Sequence, residues 1–158
     1  MSRASTHAAA TATITVTEAL TINSRDYGST QSFTIASIAN VTRRIITATT
    51  TEATIITFSS AMAAGQSIPA KVQYIRFTNL DDTNHVIITV ANENDDEVAI
   101  KIDKGRSFIL AGDVAGGMVD VMDAKESALT VGLGDLKSIT IDADTGSCDV
   151  EFLMYETV

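Results

Sequence analysis

Residues 71–110 read KVQYIRFTNLDDTNHVIITVANENDDEVAIKIDKGRSFIL, in which β-forming runs are cut at short intervals by clusters of Asp, Asn and Gly. Val86, Ile88 and Val90 share one face of their run. Val98, Ile100 and Ile102 alternate with Ala99 and Lys101, the period of a half-buried strand. Residues 72–78 carry apolar side chains on both faces, as a strand covered on each side does. The DKG turn requires a positive φ at Gly105. No helical period fits such a stretch, so it confines the chain to a meander of antiparallel strands.

The same reading extends along the chain. Residues 13–17 alternate Thr with Ile14 and Val16, and a short run at 20–23 ends in a turn at RDYGS. Residues 32–38 place Phe33 and Ile35 on one face, and a separate strand over 41–48 follows Asn40. Further strands are expected at 52–58, 118–122, 136–142 and 148–155. Residues 59–70, broken by Gly65 and Pro69, form a crossover between sheets, with a helical turn around Met62. Residues 124–129 are the best helical segment, too short for more than a turn or two. About ten strands without strand–helix alternation predict an all-β chain, a single jelly-roll-like β-sandwich. At 158 residues one domain is expected, spanning 13–158. Residues 1–12, built of Ala, Ser and Thr with little apolar bulk, read as an extended N-terminal arm.

Composition narrows the chemistry. About one residue in seven is threonine, proline occurs once and tryptophan is absent, so the core should be aliphatic. The lone Cys148 has no internal partner and reads as a small apolar residue opening a strand. Residues 1–16 lack the apolar core of a secretory signal, and no apolar run is long enough to span a membrane. A soluble protein made in a cytoplasm is expected. Charge is divided: residues 1–76 hold six basic groups and three acids, whereas residues 77–158 hold five basic groups and 17 acids. One half is then suited to a partner and the other to water. Nucleic acid is an unsuitable partner, because Arg43-Arg44 is the only adjacent basic pair.

The inventory for catalysis is thin. His7 lies in the arm and His85 beside a turn, without a GxSxG context, so His85 reads as a strand-end residue with a local hydrogen bond. Asn92, Asn94 and Asp96 alternate as calcium ligands can, but the loop lacks an EF-hand's glycine and distal glutamate, and solvated turn residues describe it better. Paired acids without tryptophan platforms do not make a glycosidase, and neither glycine-rich loop matches a phosphate-binding motif. No cofactor or metal is expected.

The segment VQYIRFTNLDDTNHVIITVANENDDEVAIKIDKGRSFIL and the closing SITIDADTGSCDVEFLMYE resemble virion structural proteins of tailed bacteriophages, particularly those of marine hosts. The likeness rests on the YIRFTNLD strand and turn, the KIDKGRSFIL hairpin and the DVEF run, and covers about 60 residues. It implies a non-enzymatic capsid decoration or cement protein, commonly a trimer, bound to the major capsid protein on the outside of the shell. Contact residues expected on that reading are Arg3, His7, Ile14, Val16, Arg43 and Arg44, with acidic turns facing solvent. The alternatives are a tail-fibre or receptor-binding head domain recognising host glycans through the loops at 81–84 and 92–96, and a small hydrolase or isomerase dependent on His85.

Overall fold

The computed structural model describes residues 8–59, 66–112 and 135–157. The strands expected at 118–122, the helical turns at 124–129 and around Met62, and the arm residues Arg3 and His7 lie outside them. Within them the chain is all β. Its strands are β1 (Ala10–Glu18), β2 (Thr21–Ile22), β3 (Arg25–Asp26), β4 (Ser29–Ala48), β5 (Ala53–Thr57), β6 (Val72–Asn79), β7 (Val86–Asn92), β8 (Glu97–Ile102), β9 (Ser107–Ala111), β10 (Leu136–Ala143) and β11 (Cys148–Thr157). A 3₁₀ turn, Pro69–Lys71, leads into β6. No helix of the described residues is long and apolar enough to cross a membrane.

Two antiparallel sheets carry the fold, in the orders β1-β4-β11-β6-β9 and β5-β10-β7-β8. From β4 onward the neighbours are nested: β4 lies beside β11, β5 beside β10, β6 beside β9 and β7 beside β8. This is the arrangement of one long hairpin folded across itself. The crossover expected between β5 and β6 does pass from one sheet to the other.

Alternation fills the space between the sheets. Val72, Ile75 and Phe77 of β6 and Val150, Phe152 and Met154 of β11 meet Val86, Ile88, Val90, Ile139 and Ile141 of the facing sheet, all buried. The core is mainly aliphatic, as composition predicts. At its centre the Phe77 and Phe152 rings stack with centroids 5.3 Å apart. Cys148, buried at the start of β11, takes the small apolar role expected of it.

Buried asparagines shape two of the turns. The Asn79 amide donates to the carbonyls of Asn84 and Ile102, and its oxygen accepts from the Asp81 N–H. Asn92 closes the 92–96 turn in the same manner, its oxygen accepting from the N–H groups of Asn94 and Asp96. Gly105 has a φ of 63°, as its turn requires. Asn23 and Ser24, both with positive φ, join β2 to β3 in a two-residue hairpin loop.

Two expectations are revised. The strands over 71–110 are not a meander, and KIDKGRSFIL is not a hairpin, because the chain crosses between the sheets after β6 and after β8, so β6 pairs with β9 and β7 with β8. The strands expected at 32–38 and 41–48 are a single strand, β4, of 20 residues. Asn40 does not break it, because its backbone stays in the ladder opposite Glu156 and its amide donates to that carboxylate at 2.6 Å. Ser37 instead takes a φ of 61° beside a register shift, so the strand bends without ending. The first half of β4 pairs with β1 from Ser29 to Ile38, and the second half pairs with β11 from Ile38 to Ala48. β1 and the first half of β4 thus form a two-stranded ribbon, with β2 and β3 at its tip.

Candidate interaction surface

Two successive residues of a strand point to opposite faces, and this settles the roles of Arg43 and Arg44. Arg44 turns inward. Its guanidinium lies 5.5 Å from the centroid of the buried Phe152 ring and donates to the Ile55 carbonyl, tying β4 to β5 of the other sheet. Arg43 points away from the core, where its Nε and Nη2 donate to one oxygen of Glu151 at 3.0 and 2.6 Å. Arg76 of β6 donates to the other oxygen. The hydrogen bonds of Arg43, then those of Arg76, hold the Glu151 carboxyl below the usual glutamate range, and Glu151 in turn raises Arg43.

Around this three-residue bridge the outer face of the five-stranded sheet combines exposed aliphatic residues with the polar pairs Thr47–Asp149 and Thr78–Ser107. Register places Val41 beside Tyr155, Ile45 beside Glu151, and Ile109 beside Arg76. Ile45 is 65% exposed, Val41 54% and Ile109 38%. Large aliphatic residues open to solvent on inner strand β4 and edge strand β9, with an arginine among them, have the make-up of a protein contact face.

The ribbon continues that face. Cross-strand partners place Ala12 with Ile35, Ile14 with Phe33 and Val16 with Gln31 on one side. Thr13 with Thr34, Thr15 with Ser32 and Thr17 with Thr30 form a wholly hydroxylated opposite side, where Thr15 and Ser32 share a hydrogen bond of 3.0 Å. Near its base the apolar side folds onto the sheet. Ile35 and Ile38 are buried with Tyr74 and Leu153, and Ala12, Ile14 and Tyr155 pack around them. A cleft of about 420 Å³ remains between Phe33, Ile35, Gln73 and Ala111. Toward the tip Val16, Leu20, Ile22, Tyr27 and Phe33 are exposed, with the Arg25 guanidinium lying 5.4 Å from the centroid of the Tyr27 ring.

Of the contact residues expected from sequence, Ile14 and Val16 therefore share the ribbon's apolar side, Ile14 half-buried near the base and Val16 exposed beyond it. Arg43 lies on the same outer surface, whereas Arg44, also exposed, lies on the other side of β4 and is hydrogen-bonded to β5. Val41, Ile45, Ile109, Arg76 and Glu151 were not singled out by sequence. Val41 and Ile45 were within reach, since they share the parity of Arg43 on one strand.

At the opposite end of the sandwich, the turns 80–85, 103–106 and 144–147 lie together, joined by hydrogen bonds from Asn79 N–H to the Arg106 carbonyl and from Leu80 N–H to the Asp149 carbonyl. They carry Asp81, Asp82, Asp103 and Asp144. Asp81 sits below the usual carboxyl range because it accepts the backbone N–H groups of Asn84 and Thr83. His85 Nδ1 lies 3.6 Å from an oxygen of Asp144, and the Cys148 sulfur is 3.8 Å from the His85 carbonyl. Burial, reinforced by Asp81, Asp149 and Asp144, pushes the Cys148 thiol up, the reverse of what a thiolate nucleophile needs. Among the described residues no three His, Cys, Asp or Glu side chains are grouped to hold a metal ion.

Compared with known proteins, the chain matches no family model, no curated protein and no solved structure.

Proposed function

We propose that this protein is a non-enzymatic structural component of a tailed-phage particle, which binds the major capsid protein on the outside of an icosahedral shell and stabilises the assembled form. The observation that carries the reading is the concentration of exposed apolar residues on one surface: Val41, Ile45 and Ile109 on the outer sheet face and Val16 and Phe33 on the ribbon, with Arg43 among them. The aspartates of the far turns sit at the other end, where they keep the bound protein hydrated. The nested strand order supports a jelly-roll reading of the sandwich.

In this mechanism the sheet face docks and the ribbon extends the contact along the capsid surface. Each contact is modest, but two or more copies held together gain effective concentration on a repeating lattice. Because only the assembled shell presents that lattice, binding favours it over expanded or partly assembled forms by mass action.

Co-sedimentation with capsids tests the proposal. Wild-type protein is expected to pellet with them, and Ile45→Glu, which adds a charge at an exposed position, is expected to weaken binding about ten-fold or more. Equal pelleting of the two proteins would reject the sheet face as the contact. Glycan binding without affinity for capsids would favour a receptor-binding head instead.

A further inference from the structure

The outward side of β1 is the least guarded edge of the sandwich. β1 hydrogen-bonds to β4 on one side, and among the described residues no strand lies on the other. Sheet edges are ordinarily protected by charge, proline, bulges or brevity, because a free row of N–H and C=O groups is a template for another strand. The remaining edges follow this rule: β8 carries Glu97 and Lys101, and β5 and β9 have five residues each. β1 has nine residues, with no proline and no charge before Glu18 at its last position.

We propose that β1 pairs with β1 of a second copy of this chain across a two-fold axis, joining two five-stranded sheets into one continuous sheet. The topology selects this partner. With five strands, each antiparallel to its neighbour, β1 and β9 run in the same direction, so head-to-tail joining of copies makes a parallel pair. A two-fold axis perpendicular to the sheet makes an antiparallel β1–β1 pair, the more stable ladder. Such an axis also preserves the faces. Ala12, Ile14 and Val16 of one copy fall on the same side as those of its partner, and the threonines form a single hydroxylated surface.

Full overlap of the nine residues centres the pairing on Ile14, with Thr13 opposite Thr15 and Ala12 opposite Val16. Charge agrees with the choice. A chain of net charge −9 repels its copies, and the ribbon is nearly neutral, with Glu18, Arg25 and Asp26 its only ionised side chains. It also leaves the sandwich at the end opposite the turns that carry Asp81, Asp103 and Asp144, so the pairing holds those three turns apart; the 92–96 turn lies at the ribbon's own end. A single ladder with its flanking side chains falls at the low end of specific interfaces, below about 1,200 Å² in total, and the dimer therefore dissociates on dilution. The pairing is two-fold, unlike the trimer implied by the phage resemblance, and it does not depend on what particle the protein binds.

Sedimentation velocity of the full chain over a dilution series tests it. The mass is expected to rise with concentration from 16.7 kDa toward twice that value. Thr13→Lys with Thr15→Lys places like charges opposite one another at two symmetric positions and is expected to weaken the dimer about ten-fold. Thr54→Lys with Thr57→Lys on β5 makes the same change in net charge and is expected to leave the dimer intact. Both pairs lower the net negative charge, so general repulsion cannot account for a loss confined to the first. A monomer at all concentrations, a trimer, or equal weakening by the two pairs would overturn the proposal. Hydrogen exchange on the wild-type chain provides a check that needs no variant. The β1 amides not bonded to β4 are expected to gain protection with concentration. Protection present at every dilution would mean that another segment of this chain covers the edge, which also overturns it.

Discussion

On the side of β4 that faces the second sheet, the C-terminal half carries Ile46 and Ala48, packed in the core, while the same side of the N-terminal half carries Thr30, Ser32 and Thr34, open to solvent. Both halves are continuous strand with the same alternation. They differ in what stands opposite: β5 and β10 lie across from one, and nothing among the described residues lies across from the other. The ribbon's apolar residues instead use the outer side, where Ile35 and Ile38 gain cover from Tyr74 and Leu153. Alternation therefore specifies which residues share a face, and only the tertiary arrangement decides whether that face is dry.

The sharpest way to break this contrast is to remove bulk from each region. Phe152→Ala, at the centre of the main core, should cost about 3–5 kcal/mol in urea unfolding, the range for a buried aromatic. Ile35→Ala, in the small cluster at the ribbon's base, should cost about 2 kcal/mol, at the low end of its class. Equal losses at the two sites would mean that the ribbon is as firmly built as the sandwich.

A smaller effect belongs to the bridge on the outer face. Glu151 is held below its ordinary value of 4.5, so its folded form resists protonation. The stabilisation from its arginine pairs is complete above that value and is lost as pH falls through the lower folded pKa. The stability difference between wild type and Glu151→Gln should accordingly shrink as pH drops below about 4.5. A difference that stays constant through acid would show that the pairs contribute no charge-dependent stability.

The smallest change is expected at the ribbon's exposed positions. Val16→Ala should alter stability by no more than about 0.5 kcal/mol. A larger loss, measured at high protein concentration and absent on dilution, would locate Val16 in the contact between copies.

Legibility in the sequence followed the same division. The strands from β6 to β9 were readable because their turns carry strong local signals, the Gly105 turn above all, but their pairing was not: β6 joins β9 in one sheet and β7 joins β8 in the other, which no local signal distinguishes from a meander. β4 was not, since Asn40 resembles a break until Glu156, 116 positions away, is seen to receive its amide. The Arg43–Glu151–Arg76 bridge joins residues from three strands and has no local signature. The separation of Arg43 from Arg44 was available in principle, since a strand over 41–48 must send adjacent side chains in opposite directions.

The nested strand order has a consequence for how the chain is made. β11, the last strand in the sequence, sits between β4 and β6 in the interior of its sheet, and Phe152 on it completes the core. During synthesis the first seven sandwich strands emerge while the place between β4 and β6 stands open, exposing two unpaired edges and an apolar face. Productive closure waits for residues 148–157 to leave the ribosome, so the five-stranded sheet is completed late, through pairings of long sequence separation that form slowly.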